Sequence, residues 1–594
     1  MSAPAARVLR FDIFELDLHA GELRKRGVKL RLQGQPLQVL AALLMRAGDL
    51  VTREELRAEI WAADTFVDFD HSLHNAVARI REALGDSAET PRYIETLPRR
   101  GYRFIERVAE VDPETSHSPL RHSGRVDPRA IQAVAVLPLE DLSGAPDHDY
   151  FADSMTEALI TSLAKIKALR VISRTSAMQF KGARKSLPQI ARDLNVDAVI
   201  EGSVLRSGER VRITAQLIHA TSDQHLWAES YERDFRDILS LQSEIARQVA
   251  DQVRIILTPE ERARLGSSRQ VNPEAHDCYL KARYYWNKRT EDSVKKALAY
   301  FHQAIDHDPT YAQGYAGLAD SYNILGYYNS LSPLEAYPKG KAAALKALEL
   351  DDSLAEPHAT LGVVKRDFEW DWSGAEQEFQ RAIELNPGCV QAYHWCSTLL
   401  SMLGRQAEAL REKTRALAMD PLSVVIRTDL ARMFYFSRDY DQSFEQYRAA
   451  LEMDPNFAFA HLWLAQVYQQ KSRFAEALSE LKTGMRLCSD SPFALAKLGH
   501  GYAVAGRSVE ALAVLDQLDA LSSQKYVSPY DIAMVYVGLQ ENDEAFAWLQ
   551  RAFEQRSLWL GYLNVEPQLD PLRSDPRFRE LLRRIGLLQV RELP

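Results

Sequence analysis

A 34-residue spacing runs through the second half of this 594-residue chain. A small residue recurs at Ala297, Gly340, Ala375, Ala409, Ser443, Ala477, Ala511 and Ala545, and the last six positions stand 34 apart. Twelve residues after the first five come Pro309, Asp352, Pro387, Pro421 and Pro455, each preceded at five residues by Ala304, Ala347, Ala382, Ala416 and Ala450. Apolar-small-x-x-aromatic tetrads such as Leu464-Ala465…Tyr468, Leu498-Gly499…Tyr502 and Ile532-Ala533…Tyr536 precede the small residue. Small residues at helical spacing let two antiparallel helices approach closely, and the closing proline stops the second helix. One such pair cannot bury its own apolar face, so successive pairs must stack. Seven or eight pairs fit between residues 277 and 560, and nine extra residues around Tyr327–Pro338 are expected to lengthen one inter-helix turn.

This pattern resembles the tetratricopeptide repeat (TPR). The resemblance implies an all-α solenoid over residues 277–594, closed by a C-terminal cap, with a protein, peptide or small effector bound to it. The aromatic group Tyr311, Tyr315, Tyr322, Tyr327 and Tyr328 and the trio Trp370, Trp372 and Trp395 are expected in the repeat core rather than in a ligand groove.

Two polar stretches divide the remainder. Residues 109–130 carry three prolines, three serines and no periodicity, which reads as a flexible linker. Residues 258–276, opening at Thr258-Pro259 and including Asn272-Pro273, read as a second linker. Between them, residues 131–257 look α/β. Ile131 to Pro138, Leu169 to Ser173 and Val196 to Ile200 are expected strands, and Phe151 to Lys165 has a helical period. Ser207-Gly208 separates Gly202–Arg206 from Val211–Ile218, the signature of a hairpin. The order of Val-Ala-Val-Leu-Pro-Leu139, Tyr150-Phe151-Ala-Asp-Ser-Met155 and Val199-Ile-Glu-Gly-Ser-Val204 resembles the TolB amino-terminal-like domain. That likeness implies a fold and carries no catalytic residues.

The amino-terminal segment carries the chemistry. Residues 7–108 hold 17 Lys/Arg against 16 Asp/Glu, a net of +1, while the whole chain stands at −9. A weakly positive head on an acidic body suits a nucleic-acid reader joined to a solvated module. Phe11 to Leu18 alternates as a half-buried strand, Leu37 to Met45 is a first helix, and Thr52-Arg-Glu-Glu55 is a capping box opening a second that ends near Trp61. Asp64 to Asp70 is a turn-rich loop. In the third helix, about 71–84, Leu73, Val77, Ile80 and Leu84 form one narrow stripe, leaving His71, Asn75, Arg79 and Glu82 on the opposite face. Amide and guanidinium groups on such a face can pair bidentately with adenine and guanine edges. Strand Arg92–Leu97, the tip Pro98-Arg-Arg-Gly101 and strand Tyr102–Ile105 form a hairpin tipped with two arginines.

The motifs Leu73-x-x-x-Val77-x-x-Ile80-Arg81-x-x-Leu84-Gly85 and Ile94-x-Thr-Leu-Pro-Arg-Arg-Gly-Tyr-Arg-Phe104 resemble the winged-helix DNA-binding domain of OmpR/PhoB regulators. The resemblance covers residues 1–108. It implies base readout by Asn75 and Arg79, with His71 a lesser contact. Phosphate contacts fall to Arg81, Arg99 and Arg100, and the loop bearing Asp64, Phe66, Asp68 and Asp70 would face RNA polymerase. The low domain charge makes binding depend on placement and on a homodimer on DNA. No phosphoryl-accepting receiver domain is expected ahead of the winged helix.

The whole is expected to be multidomain α+β: an N-terminal winged helix, a central small α/β domain and a C-terminal all-α TPR solenoid. Four cysteines without CxxC spacing argue against a structural zinc site, and no metal or cofactor is expected. Lys181-Gly-Ala-Arg-Lys-Ser186 lacks the upstream glycine of a phosphate loop, and no GxSxG or HExxH occurs. An enzyme is therefore not expected. No run reaches the roughly 18 apolar residues of a membrane span, so a cytoplasmic regulator without membrane contact is expected. Two other readings are a TPR scaffold for protein assembly and a nucleotide-related enzyme of the central domain.

Overall fold

The computed structural model describes residues 8–12, 14–17, 22–25, 28–29, 32, 34–60, 69–84, 86, 91–97, 100–106, 108–111, 131–143, 149–266, 270–488 and 491–588. These form two compact units, Met1–Arg125 and Val126–Pro594.

In the first unit, β1 (Val8–Phe11), β2 (Phe14–Asp17), β3 (Glu22–Lys25) and β4 (Val28–Lys29) make an antiparallel meander. Helix α1 (Gln35–Met45), strand β5 (Leu50–Thr52), helices α2 (Arg53–Ile60) and α3 (Phe69–Leu84), and strands β6 (Ile94–Leu97) and β7 (Gly101–Phe104) follow. A second sheet has the order β5-β7-β6. The sequence suggested one strand from Phe11 to Leu18; the chain instead reverses after Phe11. Asp12 takes a left-handed φ of 45°, and Phe11 faces Phe14 across the turn with stacked rings 5.4 Å apart. Burial of both rings sets the break. Of the expected linker at 109–130, Ala109–Val111 instead forms β8, which pairs antiparallel with β1 and completes a five-stranded sheet, and the remaining residues 112–130 lie outside the described residues.

The second unit opens with a six-stranded sheet. Strands β9 (Ala133–Val136), β10 (Glu140–Asp141), β11 (Arg170–Val171), β12 (Ala198–Ser207), β13 (Arg210–His219) and β14 (Gln224–Asp234) contribute, in the order β11-β9-β12-β13-β14 with β10 also on β12. The hairpin expected at Ser207-Gly208 is present, with Ser207 opposite Arg210. Two segments read as separate strands, Val196–Ile200 and Gly202–Arg206, are one ten-residue strand. Gly202 allows this: a Cβ there would fall 1.9 Å from the Thr214 carbonyl oxygen of the neighbouring strand.

Residues 258–276 are not a linker. Pro259–Gly266 and Pro273–Trp286 are helices, and Leu257, Leu265, Val271 and Ala275 are buried in the core of the α/β sheet. Burial of those apolar residues removes the hinge that prolines and polar residues suggested.

From Pro273 to Glu554 the described residues form eight helix pairs. Every member of the small-residue column is buried, and each stop residue from Pro309 to Pro455 lies two residues beyond the end of its helix. The nine extra residues are not mainly a longer turn. Most are absorbed into the helices Ala312–Tyr327 (16 residues) and Pro333–Leu350 (18 residues), against 13 and 14 for the pair Val424–Phe436 and Tyr440–Met453.

Repeat turns dock on the α/β layer. The amide of Ser173 donates to the Met419 carbonyl at 2.8 Å, the amide of Gly388 to that of Ala164 at 3.0 Å, and the Ser176 hydroxyl to Asp420 at 2.5 Å. The C-terminal segment, with short helices Leu558–Tyr562, Pro567–Leu572 and Pro576–Arg584, folds back on the first helices of successive pairs. Trp559 lies 5.3 Å from Trp463 and 5.7 Å from Phe493, and Phe436 lies 5.0 Å from Tyr562. The indole N–H of Trp372 donates to the Ile585 carbonyl at 2.8 Å. Among the described residues no helix is long and apolar enough to cross a membrane.

Truncating a buried tryptophan costs about 3–5 kcal/mol. Trp559→Ala should therefore lower the unfolding free energy of the second unit by that order, read by urea denaturation of the full chain followed by circular dichroism. An unchanged midpoint would contradict the structural role assigned to the cap.

Candidate nucleic-acid interface

The face of α3 is decided by what the helix buries. Leu73, Ala76, Val77, Ile80 and Leu84 lie in one core with Val39, Leu40 and Leu43 of α1 and with Phe104 of β7. Burying that stripe turns Asn75, Ala78 and Arg79 to the exterior, where all three are exposed. Among the described residues Asn75 and Arg79 have no side-chain hydrogen bond or ion pair, so their donors are uncommitted. Ala78 was not singled out from the sequence. Its short side chain keeps the surface between Asn75 and Arg79 low, and the only sequence signal for it was its place in the helical period.

The entry to α2 is held by the expected capping box. The Thr52 amide donates to Glu55 Oε2 at 2.7 Å, and the Glu55 amide donates to Thr52 Oγ1 at 3.2 Å. These bonds, the backbone one foremost, hold the Glu55 carboxyl below its ordinary pKa.

Past the end of α3, Asp86 ties the helix to the hairpin. Its carboxylate accepts the amides of Arg92 at 2.7 Å, Tyr93 at 3.3 Å and Ile94 at 2.8 Å. Asp12 adds a second tie, accepting the Tyr93 hydroxyl at 2.6 Å and the Arg92 guanidinium at 2.9 Å. Burial, then the bond to Asp12, pushes the Tyr93 phenol up to about 12. Tyr102 is buried beneath the hairpin. Gly101 lets β7 approach β5 closely, since a Cβ there would fall 2.1 Å from the Val51 carbonyl oxygen.

The other expected contact residues divide. Arg100 is exposed at the hairpin turn, its amide donating to the Leu97 carbonyl at 3.0 Å. Arg81, expected on phosphate, is half-buried and turned toward the protein: its Nη2 donates to the Ile94 carbonyl at 2.9 Å and to Thr96 Oγ1 at 2.8 Å. Arg103 lies 3.7 Å from Glu95 across the hairpin. His71 lies in α3, but its side chain is outside the described residues, as are Arg99, Asp64, Phe66 and Asp68. Asp70, read as the end of a loop, belongs with Phe69 to the first turn of α3. Among the described residues no cluster of His, Cys, Asp or Glu is arranged to hold a metal.

Comparison with known proteins places this geometry. The family model "Transcriptional regulatory protein, C terminal" matches residues 27–104, which run from the end of the first sheet through the hairpin. These residues are a DNA-binding domain of the OmpR/PhoB regulator type. A second model, "HilA/YgeH-like transcriptional regulator, second domain", matches residues 130–248, and a TPR model matches residues 431–472. The central segment thus carries a HilA-like match where the sequence suggested a TolB likeness. The chain is 24% identical over 415 residues to the transcriptional regulator HilA of Salmonella typhimurium, covering 69% of this chain and 70% of HilA. It is 34% identical over 85 residues, 14% of this chain and 29% of the relative, to the cholera toxin transcriptional activator of Vibrio cholerae. A protein of Rhizobium meliloti named "Putative adenylate cyclase 3" is 35% identical over 233 residues, which are 39% of this chain and 40% of that protein. The chain thus spans two fifths of that relative's length and more than two thirds of HilA's. The OmpR/PhoB-type head, the HilA-like middle and the repeats are thus similar, segment by segment, to parts of transcriptional regulators.

Replacing Arg81 by Met would leave the Ile94 carbonyl and Thr96 hydroxyl without their charged donor, at a cost of about 1–2 kcal/mol to local opening. In hydrogen exchange of the full chain, peptides covering 94–106 should exchange about 5- to 30-fold faster while those covering 198–252 stay unchanged. Equal exchange in both would show that Arg81 does not hold the hairpin.

Proposed function

We propose that this chain is a one-component transcriptional regulator: α3 enters the major groove, the hairpin meets flanking phosphates, and the repeats bind the partner that biases transcription. The observation that carries the reading is the pairing of uncommitted Asn75 and Arg79 on a helix whose opposite stripe is fully engaged in the core. Asn75 would read adenine and Arg79 guanine, the pairings their donor geometry favours. Ala78 between them admits a thymine methyl. His71, one turn before Asn75, would make a lesser base contact. Arg99 and Arg100 would neutralise phosphates, whereas Arg81 acts as a positioning residue that holds the hairpin to α3.

The family resemblance further suggests that segment 64–70, with Asp64, Phe66, Asp68 and Asp70, contacts RNA polymerase, and that two copies bind adjacent half-sites. A domain charge of +1 supports the second point, since one head alone offers few phosphate contacts. We assign the protein to the cytoplasm, where its DNA lies, and give it no catalytic step; its regulator relatives favour that reading over a cyclase activity.

The test is binding of the full chain to its own upstream DNA and to scrambled DNA across a salt series. Arg79→Ala should weaken specific binding about 5- to 150-fold, the roughly 1–3 kcal/mol of one bidentate base contact, with little effect on scrambled DNA. Arg100→Ala should weaken both alike and reduce the salt slope by about one. Equal wild-type affinity for the two DNAs would contradict sequence-specific readout.

A further inference from the structure

The second unit holds a half-open chamber of about 1390 Å³ between the α/β layer and the repeats. Its volume is at least that of ordinary small-molecule sites, which run to roughly 1,000 Å³. Its walls combine aromatic side chains, among them Tyr327, Tyr328, Trp395, Phe457, Phe459 and Phe493, with a charged cluster at one side.

One guanidinium of that cluster has no carboxylate partner among the described residues. Glu157 is engaged by Arg283, by Arg174 at 3.4 Å and by the Asn287 amide at 2.8 Å. Asp320 lies 3.8 Å from Arg283 and accepts the Thr360 hydroxyl at 2.7 Å. Arg289 remains. Its guanidinium lies 3.6 Å from the centre of the Trp286 ring, and among the described residues it has no hydrogen-bond or ion-pair partner. It is exposed by accessible surface and lines the chamber, yet enough protein surrounds it that desolvation lowers its pKa. Arg289 thus stands on the wall of the half-open chamber, accessible to a ligand. The chamber wall also holds unmet polar atoms on buried side chains: among the described residues Trp286 Nε1, Asn323 Oδ1 and Asp531 Oδ2 have no partner. Burial pushes the Asp531 carboxyl up to about 7 and that of Asp320 to about 6.

An extended peptide running along the repeats would have to displace the chain's own C-terminal segment. First helices of successive repeats contact one another as an inner row, and the chain's own C-terminal segment packs on that row beside the chamber. Gln568 donates to Gln469 at 2.8 Å and meets His500 at 3.0 Å, and the Tyr435 hydroxyl donates to Glu566 at 2.9 Å. What stays open is a space with aromatic walls, one free guanidinium and isolated polar atoms.

We propose that this chamber binds a small amphipathic anion, a molecule with one carboxylate, phosphate or sulfonate seated on Arg289 and an apolar body against the aromatic wall. The Trp286 ring pre-orients the guanidinium, so little side-chain freedom is lost on binding. The inference is independent of the DNA reading, and its test involves no DNA.

The probes are the sulfonate 8-anilinonaphthalene-1-sulfonate and the uncharged N-phenyl-1-naphthylamine, titrated by fluorescence against the full chain at neutral pH. The sulfonate should bind saturably. Arg289→Met should weaken it at least tenfold, Arg289→Lys should recover most of the affinity, and neither should move the uncharged probe. Val425→Trp, which places a large side chain on an exposed chamber-lining position, should weaken both probes. Circular dichroism melts identical to wild type establish that the variants fold. Sulfonate binding unchanged in Arg289→Met, equal loss of both probes in that variant, or both probes binding normally to Val425→Trp would each overturn the proposal.

Discussion

The burial of one apolar stripe, Leu73, Val77, Ile80 and Leu84, sets the orientation of everything around α3. Those side chains are at most 3% exposed, and rotating the helix to expose them would forfeit several kcal/mol of apolar burial. With the rotation settled, Asn75 and Arg79 have only the exterior available. The hairpin is then fixed against α3 by polar ties rather than by apolar contact alone: Asp86 takes three backbone amides, and Arg81 spans to Ile94 and Thr96. A surface held this way is ordered by the protein's own contacts, so on the proposed reading little ordering entropy would be spent on binding DNA.

The repeat half obeys a related constraint with a different outcome. Pairs built on small residues must stack, and stacking leaves an inner row of first helices that needs covering. Here the protein covers part of it with its own C-terminal segment, through Trp559, Tyr562 and Gln568. The consequence is a partly filled interior, in which the remaining space is bounded by repeats on one side and by the α/β layer on the other. Because the turns near Gly388 and Asp420 dock on that layer, the central domain and the solenoid behave as one body, and a ligand between them touches both.

Much of this was legible in the chain. The period of 34 and its small-residue column located the repeats because close helix packing leaves few residue choices, and the capping box at Thr52–Glu55 announced α2 for the same kind of reason. Tertiary demands were not legible. Nothing local marks the reversal at Asp12, which exists so that Phe11 and Phe14 can stack. The segment 258–276 looks like a linker by composition, yet a few apolar residues spaced along it are enough to bury it. Arg81 illustrates the same limit at the candidate interface. The helical period does not show which cation bends back to the hairpin, and that choice separates a positioning residue from a contacting one. The chamber drew on residues from both layers, so no single stretch of sequence could reveal it.

The most direct measurement of the central claim is chromosome-wide mapping of the full-length protein in its own cells, beside the Asn75→Ala variant at equal abundance. The account predicts discrete sites sharing one sequence element for the wild type, and loss of that element from the sites the variant retains. Wild-type occupancy without a shared element, or an unaltered map for the variant, would contradict it.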